Sequence, residues 1–234
     1  MEDMERYGDY NDIEEDAPKS QNIVLLILKI ITAVIIIGVV GIIAFRLILF
    51  NNYPDSQKKL YFDDVLTEYY NETDGDLGAK TQSLRFPYDD PDLGNFFCDH
   101  LIVIEGAKQI QISVRYNQST VKRLNENNKG LNLSDSDPDV FTYRLTDNYG
   151  RVYSEVVLGD YDTQVMYRYQ KLVFNGVELT PDKDGKFPEY LRLEIFVPML
   201  DSNKPYAMIP IYENNVDNNK FTDYTPSSTE VPSV

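Results

Sequence analysis

The sequence predicts a mainly β protein, with a single N-terminal transmembrane helix followed by an antiparallel β-sandwich. Three observations predict it. A 28-residue run, Ile23 to Phe50, is apolar except for Lys29 and Arg46. Beyond it, apolar residues recur mainly at period two, the strand repeat. The chain also holds 18 Tyr and no Trp, and Tyr with the β-branched residues favours pleated, half-buried surfaces.

The apolar run is the anchor. At ~1.5 Å per residue it extends roughly 42 Å, more than the ~30 Å of a hydrocarbon core. Lys29 and Arg46 lie toward its two ends, where long stems reach a headgroup layer. The run is apolar on every face, unlike the one-sided stripe of a surface helix. A cleaved signal peptide has a shorter apolar region, a basic lead and a small-residue cleavage site. None of these features is found here, so residues 22–50 are expected to stay in the lipid bilayer as an uncleaved helix. Basic residues are balanced around it, with Arg6, Lys19 and Lys29 before and Arg46, Lys58 and Lys59 after. The positive-inside rule is therefore nearly silent. The short leading tail is expected inside, with the long C-terminal part extracytoplasmic at the cell membrane.

The rest divides by composition. Residues 1–21 are acidic and aperiodic and are expected to be a disordered tail. Residues 51–80 read as a stalk with a short lead-in helix or strand, because Tyr61, Phe62, Val65, Leu66 and Tyr69 recur every three to four positions. Residues 81–213 form the sandwich, and 214–234, rich in Ser, Thr and Pro, a flexible tail. Within the sandwich the clearest strand is Gln109–Tyr116, with Ile110, Ile112 and Val114 inward and Gln111, Ser113 and Arg115 toward solvent. Phe141–Thr146, the turn Asp147–Gly150 and Arg151–Leu158 read as a hairpin. Further strands are expected at Leu101–Ile104, Val165–Phe174, Leu191–Val197 and Ala207–Tyr212. Pro210 assigns the last of these to a sheet edge.

Charge and residue counts exclude several functions. The net charge is −16; such a chain repels phosphates and is expected to bind no nucleic acid. One cysteine, Cys98, permits no internal disulfide. Cys98 and His100, the sole Cys and His, stand two apart, which on a regular strand places both on one face. A thiol–imidazole nucleophile is nevertheless not expected, because such pairs draw their members from separate segments. Asp135, Asp137 and Asp139 alternate as at the opening of a calcium loop. However, Val140 replaces the required Gly, and Thr146 the bidentate Glu. Asp182 and Asp184 before Gly185 resemble the middle of such a loop, but Thr180 and Leu191 hold its first and twelfth positions, and Asp89, Asp90 and Asp92 gather around Pro91 as a turn. Asp135, Asp137 and Asp139 are kept as the metal candidates, no other cofactor is expected, and no catalytic residue is assigned. Paired carboxylates for glycoside hydrolysis would normally be joined by Trp platforms.

The segments QIQISVRYN (Gln109–Asn117), FTYRLTDNYGRVY (Phe141–Tyr153) and YQKLVFNGVEL (Tyr169–Leu179) resemble strands of the membrane-anchored, immunoglobulin-like β-sandwich domains on Gram-positive bacterial surfaces. The resemblance is architectural, covers residues 81–213 and implies no shared active site. The Cys–Trp–Cys signature of antibody domains is absent. It implies a non-enzymatic binding or scaffolding module for a protein or cell-envelope partner. Two other readings are a carboxylate-dependent, calcium-assisted envelope hydrolase, and a sensor subunit acting through its acidic tail.

Overall fold

The computed structural model describes residues 19–51, 53–90, 94–134, 137–179, 190–200, 204–213, 221–227 and 230–231. The chain divides into two compact units, Met1–Asn52 and Tyr53–Val234. The first holds helix α1 (Lys19–Asn51). Its stretch Ile23–Leu49 has a mean hydropathy of 3.1 and no buried residue, and among the described residues it alone is long and apolar enough to cross a membrane.

The second unit begins with two short helices, α2 (Asp55–Lys58) and α3 (Asp64–Glu72). Asp63 caps α3, its carboxylate accepting from the Leu66 amide at 2.9 Å. Strands β1 (Lys80–Asp90), β2 (Gly94–Ile104) and β3 (Gln109–Asn117) come next, then helix α4 (Gln118–Asn127). A 3-10 turn at Pro138–Val140 leads into β4 (Thr142–Asp147), β5 (Val152–Tyr153), β6 (Val156–Thr163) and β7 (Tyr167–Phe174). The chain closes with β8 (Tyr190–Phe196), β9 (Ala207–Glu213) and β10 (Thr222–Asp223). All pairings are antiparallel. They form a six-stranded sheet, β10-β1-β2-β3-β7-β6, and a four-stranded sheet, β5-β4-β8-β9.

One apolar core joins the two sheets. Cys98, Leu101, Ile112, Val114 and Leu172 from the larger sheet share it with Leu145, Leu193, Ile195 and Ile209 from the smaller. Phe141 lies edge-on to Phe96 and Tyr116, at centroid distances of 5.0 and 5.1 Å. Each fully buried large apolar side chain of this kind contributes about 1.5–3 kcal/mol. Pro210 sits on β9, an edge strand as expected, beside a register shift between Leu191 and Arg192 of β8.

Several expectations are corrected. Gln111, Ser113 and Arg115 do not face solvent: β3 is buried from Gln109 through Tyr116, on both sides. The reason is the supposed stalk. Residues 53–63, here called the strap, lie on the outer face of the larger sheet, and Tyr53, Gln57 and Leu60 are buried there. Leu60, Leu66, Leu77 and Ala79 add a second apolar cluster with Ile102 and Ile104 of β2.

The hairpin after Asp147 is also shorter than expected. Only Val152 and Tyr153 return along β4, and from Val156 the chain joins β7 in the other sheet. The C-terminal segment is not all free tail. β10 pairs with Lys80 and Thr81, and the Tyr224 amide donates to the Ala79 carbonyl at 2.8 Å. The acidic tail 1–18 and residues 214–220, 228–229 and 232–234 lie outside the described residues.

Candidate functional site

The sequence candidates separate in the structure. The β2–β3 register slips between Cys98 and His100, so Cys98 pairs with Val114 and His100 with Ser113. This bulge at Asp99 reverses the facing of the residues after it. Cys98 turns into the core between the sheets, whereas His100 turns outward beneath the strap. The two therefore share no face, contrary to the regular-strand expectation. Burial pushes the Cys98 thiol well up, with Asp99 adding to the effect, and a thiol so held is inert. Native protein is accordingly expected to resist maleimide at neutral pH and to be labelled once unfolded; stoichiometric labelling of the folded chain contradicts this placement.

Of the calcium candidates, Asp137 and Asp139 are exposed. The Asp137 carboxylate is engaged in the turn, accepting from the Asp139 amide at 2.9 Å. Asp135 lies outside the described residues, as do Asp182 and Asp184. Among the described residues no three His, Cys, Asp or Glu side chains converge as metal ligands do.

The structure instead gathers ionisable groups under the strap. Arg115 of β3 is fully buried, with its guanidinium 4.8 Å from the Phe97 ring, 4.9 Å from Tyr167 and 5.4 Å from Tyr53. Its Nε stands 3.4 Å from the Asp99 carboxylate. Cation–π contacts of this type strengthen as water is removed.

Beside it, Lys171 of β7 donates to the Gln57 carbonyl at 2.7 Å, and the Ser113 hydroxyl donates to the same oxygen at 2.5 Å. Burial lowers the Lys171 pKa to about 8, partly opposed by Asp160. The Gln57 side chain donates to the Asp160 carbonyl and the Asp162 carboxylate, both at 2.8 Å.

Further along, the Gln111 side chain bonds the strap as a neighbouring strand would. It accepts from the Tyr61 amide at 2.8 Å and donates to the Tyr61 carbonyl at 2.7 Å. Gln109 donates to Asp63 and Asn175, while Asn175 donates to Asp63. The Tyr61 ring rests on Gly159, where a Cβ would come within 3.0 Å of it. A larger residue at 159 would require the ring to give way by a few tenths of an ångström.

On a separate surface, α4 and the β6–β7 turn border an open recess of about 690 Å³. Val121, Lys122, Asn125, Leu133 and Val165 line it, and Val165 is 71% exposed. Asn117 sits at its rim as the cap of α4, accepting from the Ser119 amide.

Sequence reasoning assigned no role to Arg115, Lys171 or Gln57. A signal was nevertheless present: the polar side of the most regular strand reads Gln109, Gln111, Ser113, Arg115, three neutral hydrogen-bonding groups and one guanidinium. Those are groups suited to receiving a covering segment. Compared with family models, curated proteins and solved structures, the chain matches none.

Proposed function

We propose that the protein is a single-pass, membrane-tethered module whose β domain binds or scaffolds a protein or cell-envelope partner without catalysing a reaction. The observation that carries this reading is the pairing of an uncovered apolar helix, Ile23–Leu49, with a folded domain that begins at Tyr53. The domain uses its buried ionisable groups for internal closure: Arg115 lies among rings, Lys171 on a carbonyl, and Cys98 inside the core.

In this reading the immunoglobulin-like resemblance extends only to two antiparallel sheets packed on one core. Three consecutive neighbours, β1-β2-β3, lie in one sheet, whereas antibody domains place their third strand in the opposite sheet. In this reading the domain is extracytoplasmic, and the recess beside α4 is the surface that meets the partner. It joins apolar Val121, Leu133 and Val165 to the polar Lys122 and Asn125, the mixed composition of a transient interface.

A photo-crosslinker placed at Asn125 should trap one discrete partner in intact cells. The same probe at exposed Glu155, which is not among the residues of the recess, should not. Equal capture at both positions, or turnover of envelope polymers by the detergent-purified chain, would overturn the proposal.

A further inference from the structure

Beneath the strap, the His100 ring packs against Tyr53, with centroids 5.1 Å apart. Its Nδ1 is buried without a hydrogen-bond partner. Positive groups approach it from two elements, Lys58 of α2 and Lys171 of β7. On its own strand Asp99 is engaged with Arg115 of β3, and Arg115 contacts the same Tyr53 ring. Asp160 and Asp162 of β6 are engaged elsewhere, Asp160 with the charge of Lys171 and Asp162 with Ser56 and Gln57. A proton added to His100 would enter a site already held between cations.

We propose that the first part of the strap, Tyr53–Lys59, is an acid-released latch: protonation of His100 detaches it from the larger sheet while the two sheets remain packed. Geometry makes the release local. The latch is attached by the Tyr53 ring and by hydrogen bonds centred on Gln57. From Leu60 onward the chain has separate fastenings, namely the Leu60 amide on the Tyr224 hydroxyl and Glu230, and Tyr61 on Gln111. The core joining the sheets lies on the opposite face of β2 and β3. The polar groups uncovered by release, among them Ser113 and Lys171, are ones that water can satisfy. Release would add about seven residues of tether, up to roughly 24 Å, between the anchor and the domain.

The sign comes from the direction of the shift. Burial, Lys171 and Lys58 lower His100 from 6.5 to about 4. The open form therefore takes up a proton below pH ~6.5 that the closed form refuses until pH ~4, and opening grows as pH falls through that window.

The test is hydrogen exchange on the full chain in nanodiscs, corrected for intrinsic rates, at pH 7 and pH 5. Protection of amides 55–59 should fall more than tenfold at pH 5, while amides of β8 keep theirs. In His100→Gln the difference between the two pH values should vanish. Unchanged protection of 55–59, equal loss in β8, or the same loss in His100→Gln would each overturn the latch. Should His100→Gln not fold, Lys58→Gln serves instead: removing a like charge lets the closed form protonate more readily, so the pH dependence should become shallower. An unaltered slope in Lys58→Gln would equally overturn it.

Discussion

Phe141→Ala is expected to destabilise the β domain by about 3–5 kcal/mol, the range for removing a buried aromatic ring. Phe141 is 1% exposed and lies edge-on to both Phe96 and Tyr116. Its loss therefore removes three ring pairings, the third with Tyr206, and opens a hole between the sheets. Phe96 and Tyr116 come from β2 and β3, which are held rigidly side by side, so neither is free to collapse into the space. For a domain of this size the effect corresponds to a fall in Tm of roughly 10 °C. Thermal unfolding of the full chain in detergent, followed by near-ultraviolet circular dichroism, reads it directly. A shift below about 2 °C, the smallest expected from 1 kcal/mol in a domain this long, would mean that the sheets do not meet at this ring.

Arg115→Ala is the second large effect, and it falls on the strap. The substitution empties the space among Tyr53, Phe97 and Tyr167 and removes the cation beside Asp99. Breaking a buried charge pair from one side costs about 3 kcal/mol or more. Because Tyr53 belongs to the strap, the loss should appear as a hundredfold or greater fall in hydrogen-exchange protection at residues 55–59, already at neutral pH. Arg115→Lys is expected to rescue little, since an ammonium lacks the flat face that stacks on rings. If both variants keep wild-type protection, the guanidinium does not fasten the strap.

The contrast between these sites shows which features were legible in the sequence. Apolar alternation located β3, β8 and the inward side of the core because burial against a partner sheet needs only period-two patterning. The helix over Ile23–Leu49 was equally plain, since a long apolar run broken only by Lys29 and Arg46 reads as a helix by length and composition.

β1 escaped because Lys80–Asp90 carries Pro87 and irregular alternation. Its register also slips between Ser83 and Phe86, which breaks any simple repeat. The facing of His100 depended on one extra residue at Asp99, and composition does not announce a bulge. The strap was hidden for a different reason. Its partners, Gln111, Ser113 and Lys171, lie about fifty to more than a hundred residues away in sequence. Each looks like an ordinary solvent-facing residue until the covering segment is in place. Of the candidate site, the sequence offered His100 only as the partner of Cys98 in a pair that was set aside, and Arg115 as a charge facing water.

The fastening of Leu60 by Tyr224 and Glu230 has a consequence for how the β domain can be rewired. Leu60, seven positions past the domain's first residue Tyr53, shares one corner with the C-terminal Tyr224 and Glu230, and the Tyr224 hydroxyl itself donates to Glu230 at 2.5 Å. A peptide long enough to run from that corner back to Tyr53, with new ends cut at the exposed Tyr149–Gly150 turn, would give a circular permutant that keeps both sheets in their present order.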